Sequence, residues 1–252
     1  SDGIPDSCEA DCDGDLVPDD YEIEQGFEAD CNGNGIPDTC DVTIGSSPDE
    51  NSDGVPDECD PDYLIRVATD GTAPFETIQA ALVVALPGST ISVGPGTYSG
   101  TIALPRHPIT LVSEDGADAT IILGGDYQGA MVIANGQGSD TRVDGFTFAQ
   151  GRSFDLGGGL SIVNASPEIT NCTFRGNTAQ RGGGVNIVGS AGEPCVFSNC
   201  RFLQNTATGD DQYDGSGGGL AAANADVLVT NSDFLANESE FTGGGLIANG
   251  GT

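Results

Sequence analysis

The chain has 252 residues, of which 39 are acidic and seven basic, for a net charge of −32. So few cations exclude nucleic acid and anionic membrane surfaces as partners, because both need a basic face. The longest apolar run, 80–87, is too short for membrane insertion in this segment. No leader peptide is visible, so either one has been removed or the chain is part of a longer protein. Eight Cys point to disulfides and an oxidising, extracellular compartment.

Residues 1–62 hold 21 acidic residues and no basic one; residues 63–252 hold 18 acidic residues and all seven Arg. Such asymmetry marks either a solvated acidic tail or a cation-binding module, and here the spacing selects the module. In the run 30–41, Asp30, Asn32, Asn34, Asp38 and Asp41 occupy positions 1, 3, 5, 9 and 12 of a loop, with Gly35 at position 6. Ca2+ takes six to eight hard oxygens, and this alternation turns side-chain oxygens inward while position 7, Ile36, offers its carbonyl. The run 49–60 repeats the pattern with Asp49, Asn51, Asp53, Val55, Asp57 and Asp60. The run 11–22 supplies Asp11, Asp13, Asp15, Val17, Asp19 and Glu22, but places Leu16 where Gly is expected. A partial copy opens the chain with Asp2, Asp6 and Glu9.

Three full copies and a partial one resemble thrombospondin type 3 repeats and, more loosely, dockerin loops. The likeness covers residues 1–62 and implies calcium-ordered modules of extracellular proteins, stapled by Cys. Cys8, Cys40 and Cys59 share loop position 11, and Cys12 and Cys31 share position 2. Pairing between successive loops fits this spacing, with connectivity left open.

Residues 63–252 repeat internally. Helical spacing of Phe75, Ile78, Leu82 and Leu86 predicts an amphipathic helix over about 74–86, placed to cap one end of a solenoid. Gly-Gly-Gly then recurs at 157–159, 182–184, 217–219 and 243–245, each triplet followed by an apolar residue. Between the triplets, Phe174, Phe202 and Phe234 align, as do Asn177, Asn205 and Asn237. A period near 25 residues, with short alternating stretches broken by Gly and Asn, reads as coils of three short strands. The fold class is therefore all-β: a right-handed parallel β-helix with a capping helix, preceded by the small calcium-loop array. The ladder of Phe fills the interior, the ladder of Asn satisfies a repeated turn, and Gly serves where φ is positive. The longest spacing, 182 to 217, carries ten extra residues, three placed before Cys195 and seven within 208–216.

The stretch 72–124 resembles the start of right-handed parallel β-helix proteins related to pectin-degrading enzymes. The Gly-Gly-Gly-Leu and Phe-x-x-Asn repeats resemble those of chlamydial polymorphic outer-membrane proteins, which usually carry Gly-Gly-Ala. These likenesses imply a secreted or surface-displayed protein more firmly than any activity. The expected role is a calcium-stabilised structural protein: a filament or stalk subunit able to assemble head to tail, or an adhesin with a cell-surface receptor. The alternative is a polysaccharide-binding or polysaccharide-degrading β-helix. Catalysis is not expected. Its best candidates are Asp210, Asp211 and Asp214 with Arg181 or Arg201, but there is no Lys and the single His, His107, lies far away. The Asp-rich stretch reads better as a solvated loop or a further calcium site. Cys172 and Cys200 fall at the same place in adjacent coils, as a disulfide or as stacked buried thiols, with Cys195 a competing partner. Tyr98, Tyr127 and Tyr213 serve for sugar binding only if exposed.

Overall fold

The structure is a computed structural model that describes residues 10–49, 54–60, 64–125, 127, 129–134, 136–154, 157–190, 192–209 and 215–250. The chain forms two compact units, Ser1–Tyr63 and Leu64–Thr252. No helix among the described residues is long and apolar enough to cross a membrane.

In the first unit each acidic loop leads into a short helical segment. Helix α1 spans Asp19–Gln25 and helix α2 spans Asp38–Ile44, each entered through a Pro. Acidic residues crowd the first turns, where they complement the helix dipole. Both helices stop at a left-handed Gly: Gly26 at φ 72° and Gly45 at φ 75°.

The second unit is a right-handed parallel β-helix. Among the described residues its strands form four sheets, all parallel. The first sheet begins with Leu64–Val67, Thr90–Val93 and Thr110–Ser113 and continues to Val227–Thr230. The second runs from Gly96–Ser99 to Asp233–Leu235, and the third from Ile102–Ala103 to Leu246–Asn249. The fourth stacks the two-residue strands Arg152–Ser153, Thr178–Ala179, Thr206–Ala207 and Glu238–Ser239. Early coils thus have the expected three strands. From Arg152 onward a fourth short strand joins each coil, a departure from the three-strand reading. The pairings Leu160↔Val185, Glu168↔Val196 and Val185↔Leu220 place the extra residues in two loops, three before Val196 and seven before Leu220.

Stacking brings like over like. Phe148, Phe174, Phe202 and Phe234 form a column of near-parallel rings with centroids 5.1, 5.0 and 4.4 Å apart. Asn177 Oδ1 accepts the Gly151 N–H at 2.9 Å, and its amide donates to the Phe148 carbonyl at 3.0 Å. Asn205 repeats this one coil on, accepting from Asn177 N–H and donating to the Phe174 carbonyl. The turn between the first and second sheets uses left-handed Asn171, Asn199 and Asn231, a conformation Asn tolerates.

The Gly triplets have a second reason to be Gly. Gly182, Gly217 and Gly243 do have positive φ, whereas Gly158 and Gly159 do not. A Cβ on Gly158 would lie 2.5 Å from the Gly183 carbonyl oxygen, and one on Gly159 would lie 2.6 Å from that of Gly184. Close approach of stacked backbones, more than φ, requires these glycines.

Helix α3 is shorter than the spacing predicts, covering Ile78–Val84. Thr77 caps it by accepting the Ala80 N–H, and Phe75 forms a strand-like bridge with Val67 instead of entering the helix. Ile78, Ala81 and Leu82 are buried, while Leu86 is exposed. Gln79 accepts the Ala103 N–H at 2.9 Å, covering an edge strand of the third sheet.

Candidate metal centre

The loops before α1 and α2 share one geometry. Asp19 N–H donates to the Ala10 carbonyl and Asp38 N–H to the Ala29 carbonyl, closing each loop between its position 9 and the residue preceding position 1. Asp57 N–H does the same to the Pro48 carbonyl in the third copy. Within the first loop Asp11 accepts the N–H groups of Gly14 and Leu16, Asp13 that of Asp15, and Asp15 that of Val17. In the second, Asp30 accepts from Gly33, Asn34 and Gly35, and Asn34 accepts from Ile36. These bonds roll the odd positions toward one centre. Leu16 stands at φ 75°, close to Gly35 at 83° and Gly54 at 89°. The first loop therefore keeps the common path at the cost of a left-handed Leu.

Position 9 enters the helix and position 12 lies one turn further on. Asp19, Glu22, Asp38, Asp41 and Asp60 are all buried. Carboxyl oxygens of Asp11, Asp13 and Asp15 lie within 4.8 Å of one another. Burial pushes the Glu22 carboxyl above its ordinary value, and Asp15, Asp13, Glu28 and Asp19 push it further. In the second loop Asn32 and Asn34 aim their amide nitrogens at Asp41, at 3.1 and 2.9 Å. Burial would raise Asp41, but hydrogen bonds from Ser46, Asn32 and Asn34 outweigh it and hold the carboxyl below its usual value. Amide N–H groups donate and cannot ligate a cation. Ligation by Asn32 and Asn34 needs each amide to turn its oxygen inward.

The donor set is hard oxygen throughout and fits calcium. Asp11, Asp13, Asp15, Asp19 and Glu22 with the Val17 carbonyl would hold it in the first loop. Asp30, Asn32, Asn34, Asp38 and Asp41 with the Ile36 carbonyl would hold it in the second. In the third, Asp49 accepts the Gly54 N–H, and Val55, Asp57 and Asp60 are described. Asn51 and Asp53, like Asp2, Asp6 and Glu9, lie outside the described residues.

Two disulfides staple successive copies, Cys12 to Cys40 and Cys31 to Cys59, with Cα–Cα distances of 6.0 and 5.7 Å. Each joins position 2 of one loop to position 11 of the next. Their sulfurs lie beside Asp19 and Asp38 but offer no thiolate ligand. Two contributors had no signal in the loop spacing. Ser46 Oγ donates to Asp41 at 2.5 Å, and Glu58 of the third copy accepts from Ser47 Oγ at 2.5 Å and from Asn32 at 3.3 Å.

In the solenoid, Cys172, Cys195 and Cys200 are free and buried. Cys172 and Cys200 stack as thiols rather than forming a disulfide. Burial raises all three, Cys195 to about 12 and Cys200 to about 11, so they are neutral and inert. Tyr98 is buried with its hydroxyl on the Gly94 carbonyl, whereas Tyr127 is exposed. Asp210, Asp211, Tyr213 and Asp214 lie outside the described residues. Among the described residues, ion pairs join Arg66 to Glu114 and Arg142 to Asp144, and neither includes Arg181 or Arg201.

No known family pattern matches the chain, and no curated protein does. Among solved structures it is similar to pectin methylesterase PemA from Erwinia chrysanthemi, at 13% identity and a TM-score of 0.40. It is also similar to a pectin methylesterase in complex with hexasaccharide VII, at 14% identity and a TM-score of 0.39. Each match covers 68% of this chain and 65% of the other, so the chain spans about two thirds of their length. The likeness is one of fold.

Proposed function

We propose that this chain is a secreted, calcium-ordered structural protein of the cell surface or extracellular matrix, serving as a filament or stalk subunit or as an adhesin. One observation supports it most: Asp19, Glu22, Asp38 and Asp41 are buried in a unit whose sequence holds no basic residue. Buried carboxylates need a countercharge. Calcium supplies it from outside the chain, and its extracellular concentration suits loops of this kind. The stacked, disulfide-free solenoid supports the mechanical half of the reading, because every coil is backed by its neighbours.

Calorimetric titration of calcium into chelated protein tests the proposal. The expected result is at least two sites with Kd of about 10⁻⁵ M, one of them lost on combining Asp13→Asn with Asp15→Asn. Absence of binding at millimolar calcium would overturn it. Negative-stain microscopy tests the filament: fibres that loosen on chelation support assembly, and single rods under both conditions remove it.

A second reading, a polysaccharide-binding β-helix, is supported by a different feature: an exposed aromatic pair, Tyr127 and Phe154, set in a groove of the solenoid beside Arg152, Thr178 and Gln180.

A further inference from the structure

We infer that this groove binds a neutral glycan chain, with Tyr127 and Phe154 as its stacking platform and Arg152 as its central hydrogen-bond donor. The inference rests on the polysaccharide-binding reading and gives it a site and a substrate class.

The groove arises where the coil architecture changes. The chain leaves the second sheet at Leu123 and returns to the third at Met131, with no fourth-sheet strand among the described residues between them. Gly125 and Gly129 instead form an antiparallel bridge, with Tyr127 between them. In the next coil Arg152–Ser153 starts the fourth sheet, and the bridge clasps it: Gly129 N–H donates to the Arg152 carbonyl at 3.0 Å, and Arg152 N–H donates to the Gly125 carbonyl at 3.4 Å. This clasp sets the Tyr127 ring over Phe154, with centroids 5.0 Å apart and planes 18° from parallel. Tyr127 holds φ 79°, a conformation bulky residues avoid unless their surroundings impose it.

Neither ring is part of the core. Tyr127 is 66% exposed and Phe154 57% exposed. Two cavities meet at this point. One, of about 280 Å³, is lined by both rings with Thr178 and Gln180; the other, of about 570 Å³, extends past Gln150 toward Ser99. Arg152 and Thr178 line both. Together they reach the size of a small-molecule site.

The chemistry selects the occupant. A pyranose ring has an apolar C–H face and a rim of hydroxyls. The rings cover each other's inner faces, so an outer face of the stacked pair meets the sugar's C–H face, and Arg152, Gln150, Gln180 and Thr178 match the rim with donors and acceptors. Among the described residues no carboxylate forms an ion pair with Arg152. An anionic chain is disfavoured because residues 63–252 themselves carry 18 acidic residues against seven Arg.

Affinity electrophoresis in calcium tests this, using native gels cast with soluble β-glucan, xylan or galactomannan and, separately, with polygalacturonate or alginate. Wild type should be retarded by at least one neutral polysaccharide. Phe154→Ala and Arg152→Gln should each weaken that retardation about tenfold in Kd, with unchanged thermal transitions. Retardation by a neutral glycan that both variants keep would overturn the groove while sparing polysaccharide binding. Retardation by the anionic chains alone would do the same to the substrate class. No retardation by any polysaccharide would overturn both.

Discussion

The loop unit buries carboxylates, and the solenoid buries phenylalanines. In residues 10–60 the inward groups are Asp19, Glu22, Asp38 and Asp41; Asp19 and Asp38 accept backbone N–H groups, Asp41 accepts side-chain donors, and two disulfides staple the loops. In residues 64–250 they are the Phe148–Phe234 column, flanked by the Asn177–Asn237 ladder. Both units are repeats, yet one buries acidic groups in a sequence without a basic residue and the other satisfies itself coil by coil. Repetition in sequence thus says that neighbours stack, and the chemistry of the repeated residue says what holds them.

The largest expected effect is chelation. Each calcium site held at a hundredfold its Kd contributes about 2.7 kcal/mol, so the two fully described loops together contribute roughly 5 kcal/mol. Scanning calorimetry should show a lower transition that shifts down with chelator and an upper one that does not.

Next comes the solenoid interior. Phe174→Ala should cost about 3–5 kcal/mol, because the ring is fully buried between Phe148 and Phe202. Asn205→Ala should cost about 3 kcal/mol by stranding the Phe174 carbonyl and the Asn177 N–H. Denaturant titration of the upper transition reads both; equal losses in the lower transition would break the separation of the two units.

A third effect is alkaline. Cys172, Cys195 and Cys200 have raised pKa values in the folded state, so their neutral forms contribute stability fully below the unfolded thiol value of about 9. That contribution is lost as pH climbs through about 11 and 12. Replacing all three by Ala should flatten the stability profile of the solenoid above pH 9 without altering the loop unit.

The smallest effect sharpens the loop geometry. Leu16→Gly should stabilise the first loop by about 1 kcal/mol, because Leu16 is left-handed and 87% exposed and has little packing to lose. A destabilised lower transition would show that Leu16 makes a contact that matters.

Much of this was legible in the sequence, for reasons tied to particular residues. The spacing of Phe174, Phe202 and Phe234 transmits register directly, and so does that of the Gly triplets. The placement of three and seven inserted residues followed from the same alignment. The fourth sheet was not legible: Thr178–Ala179 is two residues long and has no periodicity of its own. The start of the helix is not legible, because Phe75 fits the apolar face of a helix as well as a bridge to Val67, and only tertiary pairing decides between them. At Leu16 propensity disfavours a positive φ, yet the loop's hydrogen bonds impose it. Tyr127 and Phe154 meet across successive coils, and no local pattern announces such a pair.

Hydrogen exchange read by mass spectrometry, in millimolar calcium and after chelation, tests the central comparison most directly. The account predicts that amides in residues 10–60 lose protection on chelation while those in residues 64–250 keep theirs. Protection that survives chelation in both units would contradict it, since the buried carboxylates would then be held without the cation.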